Sequence, residues 1–533
     1  MNTPMLIIKN IPAKKSNKNL TGISIALIIL LSNACCFTAQ ALTAPNPGVE
    51  YMFSAIKGTR SKLVTASFHT TVKKENIKWA SGDSANFKFE LLKATTGGDE
   101  KVSLVFEPPV SFVGISRASL YVKNDAGTIV KLNLTGLSTN ALEGENEPPL
   151  SAVVEVLGYQ VNVGWKSLAN HCRPELQGDE IPYSLFRKAG KGKVQMTPVA
   201  RYSPDFELPF GYYINTANGP EKKESGILAK AGKYPEHQSL FPQLALGDGS
   251  FDPGNNNFGF YATGPTHSAY SEDVWNMLLH PEHAVRAVRI YPVHDRSGNN
   301  LKNTYLICFE EAKNGDYNDY VFLVQNVTPV TTSSFATIFN GKNLDGWHTF
   351  IQGKGVNTDP ENNFRIEEGA LHVIGKDLGY AITEIPYHNY HFKTEFKWGQ
   401  KKWPPRENAK RDAGICYNIP VNEPDSIWPV SIECQVQEGD VGDFWLLGFS
   451  TINVAGKINI PSSHTQVVKN RDGEKPNGEW NTVEVISYNG HCIHIVNGVV
   501  VNYGKEASVQ DGRILLQSEY SEVWYRNLKL RKL

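Results

Sequence analysis

The sequence predicts an all-β, multidomain protein, and three observations carry that prediction. Nearly every apolar run after residue 45 is short, alternating or β-branched, as in KLVTASFHTTV, and is bounded by Gly, Asp or Asn. The stretch NTVEVISYNGHCIHIVNGVVVNY sets two Asn-Gly turns between alternating segments, the strongest short-range hairpin signal. At 533 residues the chain is also too long for one ordinary domain and has room for roughly three of about 150 residues each.

Composition narrows the class. Hydrophobic residues make up 41% and charged residues 20%, so the chain can build ordinary globular cores. The net charge is −1 with no basic face along the chain, which argues against a nucleic-acid partner. The first segment, 1–41, reads as a secretory signal. Lys14, Lys15 and Lys18 precede an apolar run from Ile23 to Leu31, and a small-residue site at Ala39-Gln40-Ala41 follows. A secreted, periplasmic or outer-membrane-associated protein is therefore expected, with cell-surface association open. A lipoprotein cut before Cys35 is the alternative, although Ser32-Asn33-Ala34 is a poor lipobox. The mature chain keeps Cys172, Cys308, Cys416, Cys434 and Cys492. Their odd number and the absence of CxxC spacing predict buried thiols rather than a disulfide framework or a zinc site, with Cys416 and Cys434 possible neighbours on adjacent strands.

Residues 45–142 are expected to form an immunoglobulin-like β-sandwich, from runs such as VSLVF and ASLYV at regular spacing. A short Pro-bounded helix is expected near Pro149, opening a second, Asp/Gly-rich β-domain over 143–330. Two loops there have the composition of a calcium cage: GDGSFDPGNNN, with Asp248, Asp252 and Asn255, and EEAKNGDYNDY, with Glu311, Asp316, Asn318 and Asp319. Ordinary turns use the same residues for backbone reasons. Asp316 and Asp319 are the candidates for structural calcium. The second unit also resembles the Asp-rich β-domains of secreted bacterial proteins that end in a "DYND" strand. A Pro/Thr/Ser linker, TPVTTSS, leads into the last unit, 335–533.

That last unit alternates throughout, as in HFKTEFKW, and carries no helical period, so a two-sheet sandwich or jelly roll is expected. Its ordered segments IFNGKNLDGW, FRIEEGALHV, DAGICYNI, SIECQVQEGDVGDFW, GEWNTVEV, NGVVV, GRILLQSE and YRNLKL are together similar to the 3-keto-disaccharide hydrolases, a family built on a concanavalin/laminin-G-like jelly roll. Two departures stand out. Asp412-Ala413 replaces the usual Asn-Ser before Gly414-Ile415, and Leu515-Leu516-Gln517 replaces Gly-Leu-Gln.

Within SIECQVQE the side chains divide by alternation: Ile432, Cys434 and Val436 on one face, Glu433, Gln435 and Gln437 on the other. The second row has the acceptors and amide donors that sugar hydroxyls need, and so do Gln517 and Glu519 on another strand; Cys416 and Asn418 are likewise expected to share a face. A solvated outer strand would look the same without the resemblance. After Gly439 the alternation stops, and Glu438, Asp440 and Asp443 gather on a Gly-hinged turn, as metal ligands or as a soluble turn. A divalent cation such as calcium is the only cofactor left open; no organic cofactor is implied.

The resemblance implies an oligosaccharide or glycoside substrate already oxidised at C3, hence a sugar 3-dehydrogenase as functional partner. It also implies cleavage by C2 proton abstraction, β-elimination and hydration. On that reading Glu433 is the base, and Arg526 or His348 stabilises the enediolate or protonates the leaving oxygen. Gln435, Gln437, Gln517, Glu519 and Trp445 bind the sugar. A non-catalytic carbohydrate-binding or adhesive surface protein, or a glycosidase acting on unoxidised glycans, are the alternatives.

Overall fold

A computed structural model describes residues 37–38, 49–68, 71–92, 100–125, 127–142, 144–168, 171–172, 175–230, 238–310, 314–331 and 335–533. The expected signal segment, Cys35 and Glu311 lie outside these residues, apart from Phe37 and Thr38. The all-β, multidomain expectation holds, because strands dominate every unit.

The first unit pairs two four-stranded sheets around a core that includes Phe53, Phe87, Leu104, Phe106, Leu120 and Leu134. Its last strand, Ile129–Thr139, runs parallel to the first long one, Val49–Ile56. Helix α1, Leu150–Val156, starts after Pro149, where the fixed φ of proline suits a helix entry. Its Val153 and Val154 pack with Leu137 of the first unit and with Tyr291, Leu306 and Val321 of the second.

The second unit has a six-stranded and a five-stranded sheet, with a two-stranded ribbon of Phe186–Lys188 and Val327–Pro329, over an aromatic core of Phe186, Phe210, Phe258, Phe260 and Phe322. The GDGSFDPGNNN loop is an ordinary turn. Asp248 accepts from the Ser250 N–H at 2.8 Å, and Asp252 accepts from the Gly254 N–H at 2.9 Å and from Lys188 at 2.6 Å. A second helix, α2 at Asp273–Leu279, has no counterpart in the sequence reading. It exists to dock: Val274, Trp275 and Leu278 pack against Ile486, Tyr488, Ile493 and Ile495 of the C-terminal unit. Beside them Arg531 pairs with buried Glu272 at 3.0 Å, and Glu272 also accepts from Asn215 at 2.7 Å.

The C-terminal unit is a sandwich of an eight-stranded and a nine-stranded sheet around one core that includes Phe392, Phe396, Trp398, Ile432, Cys434, Phe444 and Tyr525. Asn489-Gly490 and Asn497-Gly498 all have positive φ, as the expected two-residue hairpin turns require. The nine-stranded sheet runs Gly355–Val356, Trp347–Ile351, Gly379–Thr383, Asp511–Ser518, Gly414–Ile419, Ser431–Gln435, Phe444–Leu447 and His464–Val467, with Tyr387–His388 pairing to Asp511–Ser518 off this path. The five cysteines after the expected signal are all free thiols. Cys416 lies opposite Glu433, not Cys434, and points away from the core that Cys434 enters.

Candidate active site

Register turns the alternation of single strands into a grid on the outer face of the nine-stranded sheet. Cys416 pairs with Glu433, Glu433 with Trp445, and Cys416 with Leu515 on the other side. One step along, Gln435 pairs with Gly414, and Gln517 pairs with Tyr380. Side chains two residues apart share a face, so Asp412, Gln437 and Glu519 continue the same surface just past the strand ends. Glu433, Gln435, Gln437, Gln517, Glu519 and Trp445 are thus brought together from three strands and their ends.

Gly414 makes the convergence possible. A Cβ there would overlap both Glu433 Oε1 and Gln517 Oε1, so only glycine lets these side chains close over the strand between them. Gln517 donates to Cys416 Sγ at 3.3 Å, and its Oε1 is buried without a hydrogen-bond partner. Asp412 Oδ1 and Trp445 Nε1 are also buried without one. Such orphaned atoms are costly in a finished core and informative beside a site.

Electrostatics here is an imbalance of charge. Two buried carboxyls, Glu433 and Asp412, and a partly buried one, Glu519, face one cation, Arg406. Arg406 forms an ion pair with Asp412 and reaches Glu519 at 3.1 Å, and Gln437 donates to Asp412 at 2.7 Å. Burial, and then the charges of Glu519 and Asp412, push Glu433 well above the ordinary carboxylate range. Burial raises Asp412 to about 6, against the pull of Arg406. Burial and the Asp412 charge raise Glu519 to about 7, again against Arg406. Arg406 pairs with Asp412 and Glu519, and not with Glu433, so the cation favours the charged form of the first two. The sequence reading missed Arg406, which comes from the 403–411 loop and carries no local signal. Asp412 was legible only as a departure from the family pattern, although its spacing of two from Gly414 puts it on the same face.

Several expectations fail. Arg526 is on the other sheet and faces outward, because its neighbour Tyr525 is in the core. It pairs with Glu395 at 2.7 Å and lies over Trp480. His348 is on the right face but four strands from Glu433, about 19 Å at the usual strand spacing. There it meets Asp425 at 3.2 Å, which also accepts from Tyr380 at 2.9 Å. Asn418 does not share the face of Cys416. A bulge after Cys416 and a φ of 58° turn it inward, where it accepts from Tyr390 at 2.8 Å.

The three acids around Gly439 do not converge as ligands, because each is engaged by separate partners. Glu438 pairs with Arg411 and Asn477, Asp440 with Lys410, and Asp443 with the Lys469 N–H and the Gln466 amide. Among the described residues, the only group of three side chains close enough to share a metal is elsewhere, at Glu310, Asp316 and Asp319.

Among curated proteins none matches the chain. Of the solved structures, a Parabacteroides distasonis ATCC 8503 protein provisionally described as a glycosyl hydrolase is 20% identical, covering 38% of this chain and 98% of its own, with a TM-score of 0.28. The carbohydrate-binding module CBM66 from Bacillus subtilis is 6% identical over 35% and 96%, with a TM-score of 0.25. The catalytic domain of an endo-1,3-beta-glucanase from Thermotoga petrophila RKU-1 is 10% identical over 37% and 96%, also with a TM-score of 0.25. The family comparison is the specific one: residues 334–531 match the model of the 3-keto-alpha-glucoside-1,2-lyase-like domain, which makes the C-terminal third, under two unassigned units, a carbohydrate-active domain.

Proposed function

We propose that the C-terminal unit cleaves glycosides whose sugar carries a ketone at C3, with Glu433 and Glu519 as its proton-transfer pair. The observation that carries this reading is the cluster of three carboxyls, two buried and one partly buried, against one arginine, on a face otherwise lined by amides and aromatics. Such a reaction needs one group that is anionic and one that is protonated, and environments that push two acids apart supply both. The charge imbalance favours a different division of labour from the sequence-based one. Glu519, paired with Arg406, ionises first and is the base; Glu433, which holds its proton, is the donor.

In this scheme Glu519 takes the hydrogen from C2, and its electron pair forms the C2–C3 enediolate. Glu433 hydrogen-bonds the C3 oxygen as charge develops there. The enediolate then expels the C1 oxygen, which takes the proton held by Glu433 as it leaves, and the hydrating water restores that proton. Water adds across the C1–C2 double bond, hydroxyl to C1 and hydrogen to C2, so the net change is hydrolysis. Gln435 and Gln517 hold hydroxyls, and Trp445 flanks the ring. The substrate must come from a C3-oxidising sugar dehydrogenase.

The test uses the full chain with 3-keto-trehalose and with trehalose in deuterated water. Release of sugar from the keto substrate only, with deuterium at C2, is the expected result, and Glu519→Gln abolishes that exchange. Sugar binding without release from either substrate would instead leave a carbohydrate-binding module. Cleavage of plain trehalose would mark an ordinary glycosidase.

A further inference from the structure

The sugar face does not end at the carboxyl cluster. On the same outer face of the nine-stranded sheet, Cys416, Leu447 and Leu515 belong to one buried apolar floor, and Trp428 and Trp445 pack on it while staying partly exposed. Cys416 and Trp445 are the register neighbours of Glu433 on its two sides, so the floor begins at Glu433 itself. Along the strand Ser431–Gln435 the site therefore has two unlike ends. Past Gln435 come Gln437, Asp412 and Glu519, and there Asp412 Oδ1 and Gln517 Oε1 are buried without hydrogen-bond partners. Before Ser431 comes Trp428, and Leu447, the register partner of Ser431, continues the floor on that side.

Trp428 is held there against the preference of its own backbone. Its φ of 57° lies in the left-handed region, an outlier for so bulky a side chain, and the following Pro429 favours extended backbone in the residue before it. Such a conformation persists only where the surroundings impose it, and such outliers gather at ligand clamps. Here the 420–430 segment is tied down along its length. Asp425 Oδ1 accepts from the Tyr380 hydroxyl at 2.9 Å and lies 3.2 Å from His348 Nε2. Arg513 donates to the Glu423 carbonyl at 3.0 Å, and Glu423 Oε1 accepts from the Val430 N–H at 3.4 Å. The ring that these contacts fix is not a finished core side chain, since part of its surface stays open.

We propose that Trp428 sets leaving-group specificity. It forms the subsite for the group attached at C1 and takes a six-membered ring, of an aryl aglycone or of a second sugar, by stacking on that ring's apolar face. The inference rests on the reading of this site as one that cleaves 3-keto-glycosides. The keto sugar, rich in hydroxyls, lies over the amide and carboxyl end, where the orphaned oxygens of Asp412 and Gln517 can accept from it. The leaving group lies over the apolar floor toward Trp428, and Glu433 stands at the bond between them. A methyl aglycone would leave floor and ring uncovered. His348, Asp425 and Tyr380 are positioning residues, acting through the segment that carries Trp428.

The test is calorimetric titration of the full chain with methyl α-glucoside, phenyl α-glucoside and trehalose, the unoxidised parents of the substrates, alongside KM for their 3-keto forms. A ring-bearing compound is expected to bind at least tenfold more tightly than the methyl glucoside, with KM in the same order. Tight binding of the phenyl compound alone assigns an aryl aglycone, and tight binding of trehalose a second sugar. Trp428→Gly, which suits the left-handed backbone and removes the ring, brings the preference below threefold, while Trp428→Phe keeps it above threefold. Equal binding and equal KM for all three compounds, or a preference that survives in Trp428→Gly, would overturn the proposal. Cleavage of the 3-keto compounds without a ring preference removes this subsite alone. A ring preference that Trp428→Gly abolishes, without cleavage of any 3-keto compound, supports the subsite and removes the proposed reaction alone.

Discussion

Replacing Asp412 with Asn should stabilise the C-terminal unit at alkaline pH, although it breaks an ion pair. Asp412 is raised from 3.8 to about 6 and Glu519 from 4.5 to about 7. A carboxyl whose pKa is higher folded than unfolded contributes stability that is complete below about pH 4. That stability is lost as the pH climbs through the folded value. At about 1.36 kcal/mol per pH unit, either shift corresponds to roughly 3 kcal/mol lost between pH 4 and pH 8. Because the two titrate as one interacting pair, about 3 kcal/mol is the ceiling for the pair's effect rather than for each member. Asn cannot ionise, keeps an acceptor for Gln437, and leaves Arg406 to Glu519. Below about pH 4 Asp412 is protonated both folded and unfolded and Asn is nearly its isostere, so the two proteins should unfold alike there, while at pH 5 the variant should already show roughly half of the full difference. At pH 8 the variant should be more stable by up to about 3 kcal/mol, or about 6–12 °C in a unit of this size. The assay is thermal unfolding of the full chain at pH 5, 6, 7 and 8, following the transition of the C-terminal unit. A variant less stable than wild type at pH 8 would refute the reasoning, because attraction between Arg406 and Asp412 would then outweigh the cost of gathering three acids around one arginine. On the proposed mechanism the same variant moves the acid limb of the pH–rate profile downward, since Glu519 loses the neighbour that raises it.

Two further outcomes follow from the packing. Gly414→Ala should cost at least a hundredfold in turnover while the unit stays folded, because its methyl group displaces Glu433 and Gln517 from each other; turnover within threefold of wild type would show that their convergence is unnecessary. Trp275→Ala should destabilise the junction between the middle and C-terminal units by about 3–5 kcal/mol, as expected for emptying a fully buried tryptophan site. It should also split one unfolding transition into two, and an unchanged single transition would show that the seam bears little of the stability.

The strands of the last unit were legible because their signals are local. Alternation places Glu433, Gln435 and Gln437 on one face wherever the strand lies, and Asn-Gly fixes a hairpin from two residues. The same local logic misassigned Arg526. Period two told which neighbours it faces away from, but not which of two sheets its strand joins. His348 failed for a related reason: it shares a face with Glu433, but the number of strands between them is a matter of topology. Helix α2 went unseen because seven residues are too few for a periodic signal, and what holds it is the apolar patch on a sheet two hundred residues later. At the acidic turn, composition could not distinguish convergence on an ion from separate engagement by Arg411, Lys410 and Lys469.

By itself, then, the sequence determined an all-β chain of several units, the family likeness of its last third, and the polar row that runs through Glu433. Tertiary structure alone decided that this row meets Glu519, Asp412 and Arg406, that Gly414 opens the space between them, and that a different trio of acids gathers at Glu310. The physical reason is the range of the interactions. Which face a side chain occupies depends on its own backbone, whereas its charge state and partners depend on strands and loops that only the folded chain brings together.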